Sequence, residues 1–201
     1  MTKTLLKQED IEVEQLTESN LKKIDCFTSS VCKELENFLK ENAWKESCVD
    51  YSKTYLFFHK GLLIGYTTIL MDKQSLKINH PNSSLSKFSK KTEEGYSSVP
   101  ALKIGRICVI DEYNSQLESS NYLGLGKIML ASILDHAKDL KAKIGCRVIT
   151  THAKKSTGAH LWYKKMGFCY SNHEEKTKDL FAKENIEAIP MFYDINRIIK
   201  T

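Results

Sequence analysis

The stretch Asn121-Tyr122-Leu123-Gly124-Leu125-Gly126-Lys127 constrains this chain more than any other. Two glycines one residue apart let the backbone approach a ligand with no side chain in the way. Behind them Leu125, Ile128, Met129, Ile133, Leu134, Ala137 and Leu140 recur at helical spacing, which predicts a helix running to about Lys143. Gly145 ends it. A helix start aims unpaired N–H groups and a positive dipole end at the turn, so the stretch suits a phosphate anion. A P-loop would need glycine where Asn121 stands, and a dinucleotide fingerprint would need a small residue where Met129 stands. Taken alone, the stretch also reads as an ordinary glycine-rich turn into a core helix.

At 201 residues the chain reads as a single domain, 1–201. Hydrophobic residues make up 41% and charged residues 27%, which excludes a disordered chain. The net charge of +5 permits an anionic cofactor or RNA without demanding either. Cys26, Cys32, Cys48, Cys108, Cys146 and Cys169 form no C-x-x-C pair, and the N-terminus reads as no signal peptide; reduced thiols and a cytoplasmic location are expected. The Cys and His spacings fit no common zinc pattern, so no metal is expected. The longest apolar run, from Gly61 to Met71, is too short to span a bilayer, and no membrane contact is expected.

Alternation from Ile11 to Leu16 predicts a first strand, and Ser29 or Ser30 is placed to cap a helix through about Asn42. The segments Tyr51–His59 and Leu62–Met71 flank Lys60-Gly61 and predict a hairpin. From Asp72 to Ser98 the composition turns polar, predicting a long excursion. Pro100 to Ile110 resumes strand character around Gly105, a glycine that marks a bulge or a splayed strand. A loop from Asp111 to Ser120 leads into the glycine turn. Beyond the long helix come a strand at Cys146–Thr151 and a helix at Ser156–Met166 with Ala159, Leu161 and Trp162 inward. Two strands follow, at Phe168–Tyr170 and Ile189–Ile195, with an exposed charged segment from Glu174 to Lys183 between them. This order describes an α/β (α+β) fold: a mixed, mostly antiparallel sheet with helices on both faces.

With Gly105-Arg106-Ile107-Cys108-Val109, then Gly124-Leu125-Gly126 opening a long helix, then Ala159, Tyr163, Gly167 and Phe168, the chain resembles the GNAT superfamily of acyl-CoA-dependent N-acetyltransferases over nearly its whole length. The resemblance implies acetyl-CoA as acyl donor, no metal, and direct acetyl transfer to a primary amine. It implies that the strand edge at Ile107, Cys108 and Val109 pairs with the pantetheine arm. Main-chain N–H groups from Leu123 through Gly124, Leu125 and Gly126 to Lys127 would take the pyrophosphate. Tyr163 would protonate the departing thiolate. Asn121 sits where the family carries Gln or Arg, and Ser156 where many members carry an Asn facing the pantetheine. Both are carried as cofactor contacts. Asp111 and Glu112 are candidate bases, His152 and His160 weaker ones, and Cys108 reads as inert core.

Asp25-Cys26-Phe27 with Leu35-Glu36-Asn37-Phe38-Leu39, and Pro100-Ala101 leading into Gly105-Arg106, are similar to the branch containing toxins that act on aminoacyl-tRNA. The first expectation for the acceptor is a small amine or a protein amino group. Aminoacyl-tRNA comes second, and a CoA-binding module without catalysis is the alternative from another class. DNA is not expected as a partner, and the chain would be a monomer or homodimer.

Overall fold

Lys60 and Gly61 hold φ of 51° and 75°, the pair of positive angles that a two-residue hairpin turn requires. The turn joins strands β3 (Lys53–His59) and β4 (Leu62–Ser75), which pair antiparallel from Lys53↔Ile69 to His59↔Leu62. The register shifts between Phe57 and Phe58, leaving Ile64 as the extra residue of β4. The carbonyl freed there accepts the Ile110 N–H at 3.0 Å. Glycine follows the bulge for a steric reason: a Cβ at Gly65 would lie 3.0 Å from the Cys108 carbonyl oxygen.

The computed structural model describes residues 3–75, 98–171 and 187–196. It divides into two compact units: Met1–Leu70 with Ile104–Ile133, and Met71–Lys103 with Leu134–Thr201. Most of the expected polar excursion and the Glu174–Lys183 segment lie outside the described residues. The sheet is the mixed, mostly antiparallel one expected, with strand order β2-β3-β4-β5-β7-β9-β8. Here β2 is Ile11–Gln15, β5 Ser98–Val109, β7 Val148–Lys154, β8 Cys169–Tyr170 and β9 Ala188–Asp194.

The first unit holds β2, β3, β4 up to Leu70 and the Ile104–Val109 part of β5, a strand that stands between β4 and β7 in the sheet order. One face carries helices α1 (Lys33–Glu41) and α2 (Ala43–Cys48), with Phe27, Phe38, Leu39, Leu56, Tyr66 and Cys108 in the core beneath them. The other face packs Phe57, Ile64, Leu125 and Met129, the last two from helix α3 (Leu125–Lys143). Helices therefore cover both faces. A separate parallel pair joins β1 (Thr4–Leu5) to β6 (Tyr122–Leu123) and fixes the entry to α3. Sequence periodicity did not show that pair, because two residues carry no period.

The expected serine cap on α1 is corrected. Cys32 is the N-cap and makes no side-chain cap bond. Instead the buried Glu36 reaches back: its carboxylate accepts the Ser29 N–H at 3.1 Å and pairs with Lys33 and Lys40 at 2.6 and 2.9 Å. Hydrogen bonds from Lys33, Lys40 and the Ser29 amide hold its pKa down at about 2.

In the second unit β7 and β9 pair from Val148↔Asp194 to Lys154↔Ala188, and β8 closes on β9. Val99, Ala101, Val148 and Phe192 form its core. The Arg147 N–H donates to the Pro100 carbonyl at 2.9 Å, and the Arg147 guanidinium meets Asp194 at 3.1 Å. Helix α4 is shorter than predicted, Ala159–Lys165, and follows Gly158 at φ 67°. Its inward residue is Tyr163, and Leu161 points out at 56% exposure.

Candidate active site

The turn before α3 is held at both ends. Leu123 pairs with Leu5 and its carbonyl accepts the Leu6 N–H at 3.0 Å, while Leu125 is buried in the core. Between them Gly124 takes φ 97°, an angle that side-chain-bearing residues avoid. Its carbonyl accepts the N–H groups of Lys127 at 3.0 Å and Ile128 at 3.2 Å. Of the run Leu123 to Lys127, the N–H groups of Gly124, Leu125 and Gly126 have no acceptor among the described residues. The donor set of the turn is therefore three consecutive amides at the start of a 19-residue helix, where the helix dipole adds its positive end. Lys127 is exposed beside them.

Asn121, carried from the resemblance as a cofactor contact, is used as a brace. Its side-chain amide donates to Glu112 Oε1 at 3.1 Å, its N–H to the Glu112 carbonyl at 3.0 Å, and its own carbonyl accepts the Thr4 N–H at 2.8 Å. Lys3 Nζ meets the Leu117 carbonyl at 2.6 Å, so the long loop before the turn is tied to the N-terminus. A buried aromatic group also supports it. Tyr113 stacks on Tyr122 at 4.3 Å between ring centroids, and its hydroxyl hydrogen-bonds His59 Nδ1 at 2.8 Å. Desolvation on burial, then the neighbouring Tyr122, raises the Tyr113 pKa. Neither Tyr nor His carries a motif, so this group was not legible before the fold was known.

Along β5 the side chains alternate. Ile107 and Val109 pack on the α3 face, and Cys108 on the α1–α2 face, as does the Arg106 side chain. Burial pushes the Cys108 thiol up to about 12, which leaves it protonated and unreactive at neutral pH. Gly105 is where β4 presses closest: a Cβ there would lie 3.0 Å from Leu70 Cδ2 and 3.4 Å from the Thr68 carbonyl oxygen. Arg106 lies over the Phe38 ring at 3.4 Å and faces Glu46 at 3.7 Å. Beside it a cavity of about 530 Å³ opens between α1 and β5, lined by Lys33, Asn37, Phe38 and Asn42 as well as Arg106.

The second unit holds Tyr163. Its ring is 3% exposed and packs edge-on against Phe168 at 5.0 Å and Trp162 at 4.9 Å. Burial pushes its pKa up to about 12, and a hydrogen bond with Thr151 pulls in the opposite direction. A phenol in that state keeps its proton across the physiological range, as a proton donor must. Ser156 lies exposed in the turn before α4.

The candidate bases fare differently. Both oxygens of Asp111 accept the Ser30 N–H, at 3.0 and 3.2 Å, and Glu112 is engaged by Asn121. Asp111 ties one loop to another, and Glu112 closes its own loop. His152 is exposed on β7, its pKa lowered first by desolvation and then by Lys103. No group of three His, Cys, Asp or Glu residues able to hold a metal occurs among the described residues. No helix among them is long and apolar enough to cross a membrane.

The fold is the GNAT type, as its strand order and the turn into α3 lead one to expect. Among solved structures the chain is similar to a Tyr-to-Phe mutant of KacT, with a TM-score of 0.69 at 17% identity over 92% of this chain and 95% of that one. It is similar to AtaT complexed with acetyl-methionyl-tRNAfMet, with a TM-score of 0.66 at 19% identity over the same shares. AtaTR bound with AcCoA gives a TM-score of 0.64 at 18% identity over 93% of this chain and 95% of that one. A KacTA–DNA complex also matches, at a TM-score of 0.61 and 16% identity. No protein-family model matches the sequence, and no curated protein does.

Proposed function

We propose that this chain is an N-acetyltransferase that moves the acetyl group of acetyl-CoA onto the α-amino group of an aminoacyl-tRNA. The observation that carries the donor half is the row of three amides at Gly124, Leu125 and Gly126 with no acceptor of their own. Converging N–H groups at a helix start suit the diphosphate of CoA, and Lys127 adds charge nearby. The backbone of Ile107–Val109 would pair with the pantetheine arm as an added strand.

The chemistry is attack of a neutral amine on a thioester carbonyl, loss of the surplus proton from the amine nitrogen to solvent, and departure of the CoA thiolate from the tetrahedral intermediate. Tyr163 would deliver its phenolic proton to that sulfur, a role supported by burial that keeps the hydroxyl protonated. Direct transfer is favoured over an acetyl-cysteine intermediate because the Cys108 thiol is buried and held protonated. Ser156 would contact the cofactor directly, and Asn121 would serve it by bracing the turn through Glu112 and Thr4.

For the acceptor, aminoacyl-tRNA takes precedence over a small amine or a protein, the first expectation from sequence. AtaT, similar over 92% of the chain, is seen with an acetylated aminoacyl-tRNA. The overall charge of +5 also conceals an asymmetry: 19 of the 30 basic residues but 11 of the 25 acidic ones fall in the second unit. Concentrated positive charge suits a polyanion. The test is thiol release from acetyl-CoA with aminoacyl-tRNA, amino-acid esters and peptides as acceptors. N-acetylated aminoacyl-tRNA is the expected product. Turnover confined to peptides or small amines would overturn the acceptor, and acetyl-CoA binding with no turnover on any of them would make the chain a binding module.

A further inference from the structure

The cavity on the α1–α2 face is separate from the residues assigned to acetyl-CoA. Its volume of about 530 Å³ falls in the range that takes one small organic ligand. Its walls are of an unusual kind. The Arg106 guanidinium lies over the Phe38 ring at 3.4 Å, and Glu46, itself fixed by the Ser52 hydroxyl at 2.7 Å, faces it at 3.7 Å. The Arg106 carbonyl is tied down by the Thr67 hydroxyl at 3.0 Å. The guanidinium plane is therefore pre-set, with its side chain still 32% exposed. Around it stand two carboxamides, Asn37 and Asn42, with Glu34, Leu35 and Lys33, whose ammonium is paired with Glu36 at 2.6 Å. A cation on an aromatic support, beside two carboxamides that both donate and accept, suits a planar heteroaromatic ring. It does not suit an aliphatic side chain, which would bury those polar groups unpaired.

We propose that this cavity holds the terminal nucleoside of the acceptor RNA, its base stacked on the Arg106 guanidinium. The assignment rests on the aminoacyl-tRNA reading. It follows from position as well as chemistry. Arg106 and Cys108 are two residues apart on the same face of β5, about 7 Å along the strand. The nucleoside would thus sit beside the strand segment assigned to the thioester, and the amino acid esterified to its ribose would be in reach of the acyl group.

The experiment compares kcat/KM for aminoacyl-tRNA with kcat/KM for the methyl ester of the same amino acid, which lacks the nucleoside. Two variants are used. Arg106→Lys keeps the charge and loses the plane; Asn37→Trp, at an exposed position of α1, fills the cavity without touching the core. Each is expected to lower the ratio of the two kcat/KM values at least tenfold. A general folding defect lowers both values and leaves the ratio, so the ratio reads the cavity alone. A ratio within twofold of wild type in both variants would overturn the nucleoside assignment while leaving tRNA acetylation standing. A wild-type protein with no turnover on aminoacyl-tRNA would instead remove the reading on which the assignment rests, and the assignment with it.

Discussion

Two glycines bracket α3 and allow the claim about the turn to be separated from ordinary backbone strain. Gly124 at φ 97° precedes the helix and Gly145 at φ 91° follows it. Alanine at either place costs about 1–2 kcal/mol for the left-handed backbone. At about 2–4 °C per kcal/mol for a chain of this size, each variant should melt about 2–8 °C lower than wild type. The surroundings differ. A Cβ at Gly145 meets nothing within 4 Å, whereas one at Gly124 comes 3.2 Å from Leu5 Cδ1. The Gly124 turn is pinned by Leu123 in its strand and Leu125 in the core, so strain is relieved only by rotating the peptide planes between them. Those planes carry the amides assigned to the diphosphate. Losing one charge-assisted hydrogen bond costs about 1.5–3 kcal/mol, which is about 10- to 150-fold in Kd. Titration calorimetry with acetyl-CoA should show that loss in Gly124→Ala and a near wild-type Kd in Gly145→Ala. Equal affinity in the two variants would refute the reasoning, whichever way both moved.

Tyr163→Phe should bind acetyl-CoA normally and lose about 10²- to 10⁴-fold in kcat, the usual range for a positioned proton donor; unchanged kcat removes Tyr163 from the mechanism. With the Tyr163 pKa raised to about 12, kcat should show no descending limb from this group between pH 8 and 10.5 in a stopped-time thiol assay. Glu36, held at about 2 against an ordinary 4.5, contributes stability that is present above pH 4.5 and lost as pH falls toward 2. Glu36→Gln should flatten that acid limb in thermal melts, and an unchanged limb would show that the contribution comes from elsewhere. Cys108 and Tyr163 are both raised to about 12, from 9 and 10, so stability should fall as pH climbs through the window from 9 to 12; Cys108→Ala should delay the onset toward pH 10.

Much of this was legible from local chemistry. The Lys60-Gly61 hairpin, the long helix and its stop at Gly145 follow from turn residues and a 3.6-residue period. What was not legible came from contacts between distant segments. Thr4–Leu5 finds Tyr122–Leu123 across more than a hundred residues, and no pattern of two residues announces that. Glu36 replaces Ser29 and Ser30 in ordering the entry to α1, because a buried carboxylate with two lysines outcompetes a hydroxyl. In α4 the period of a seven-residue helix is too short to choose between Leu161 and Tyr163. At the site itself, motif spacing marks the turn but does not count its donors. The pairing of Leu123 with β1 and the bond from Lys127 to the Gly124 carbonyl reduce five amides to three. The Arg106–Phe38 stack needs α1 folded against β5 before it exists at all.

The central claim is that the amides of residues 124 to 126 grip a diphosphate. Comparing Kd for acetyl-CoA with Kd for S-acetylpantetheine, which keeps the thioester arm and lacks the diphosphate and nucleotide, tests it most directly. Acetyl-CoA should bind at least a hundredfold more tightly to the wild-type protein, with most of that advantage gone in Gly124→Ala. Equal binding of the two thioesters, or an advantage that Gly124→Ala leaves intact, would contradict the account.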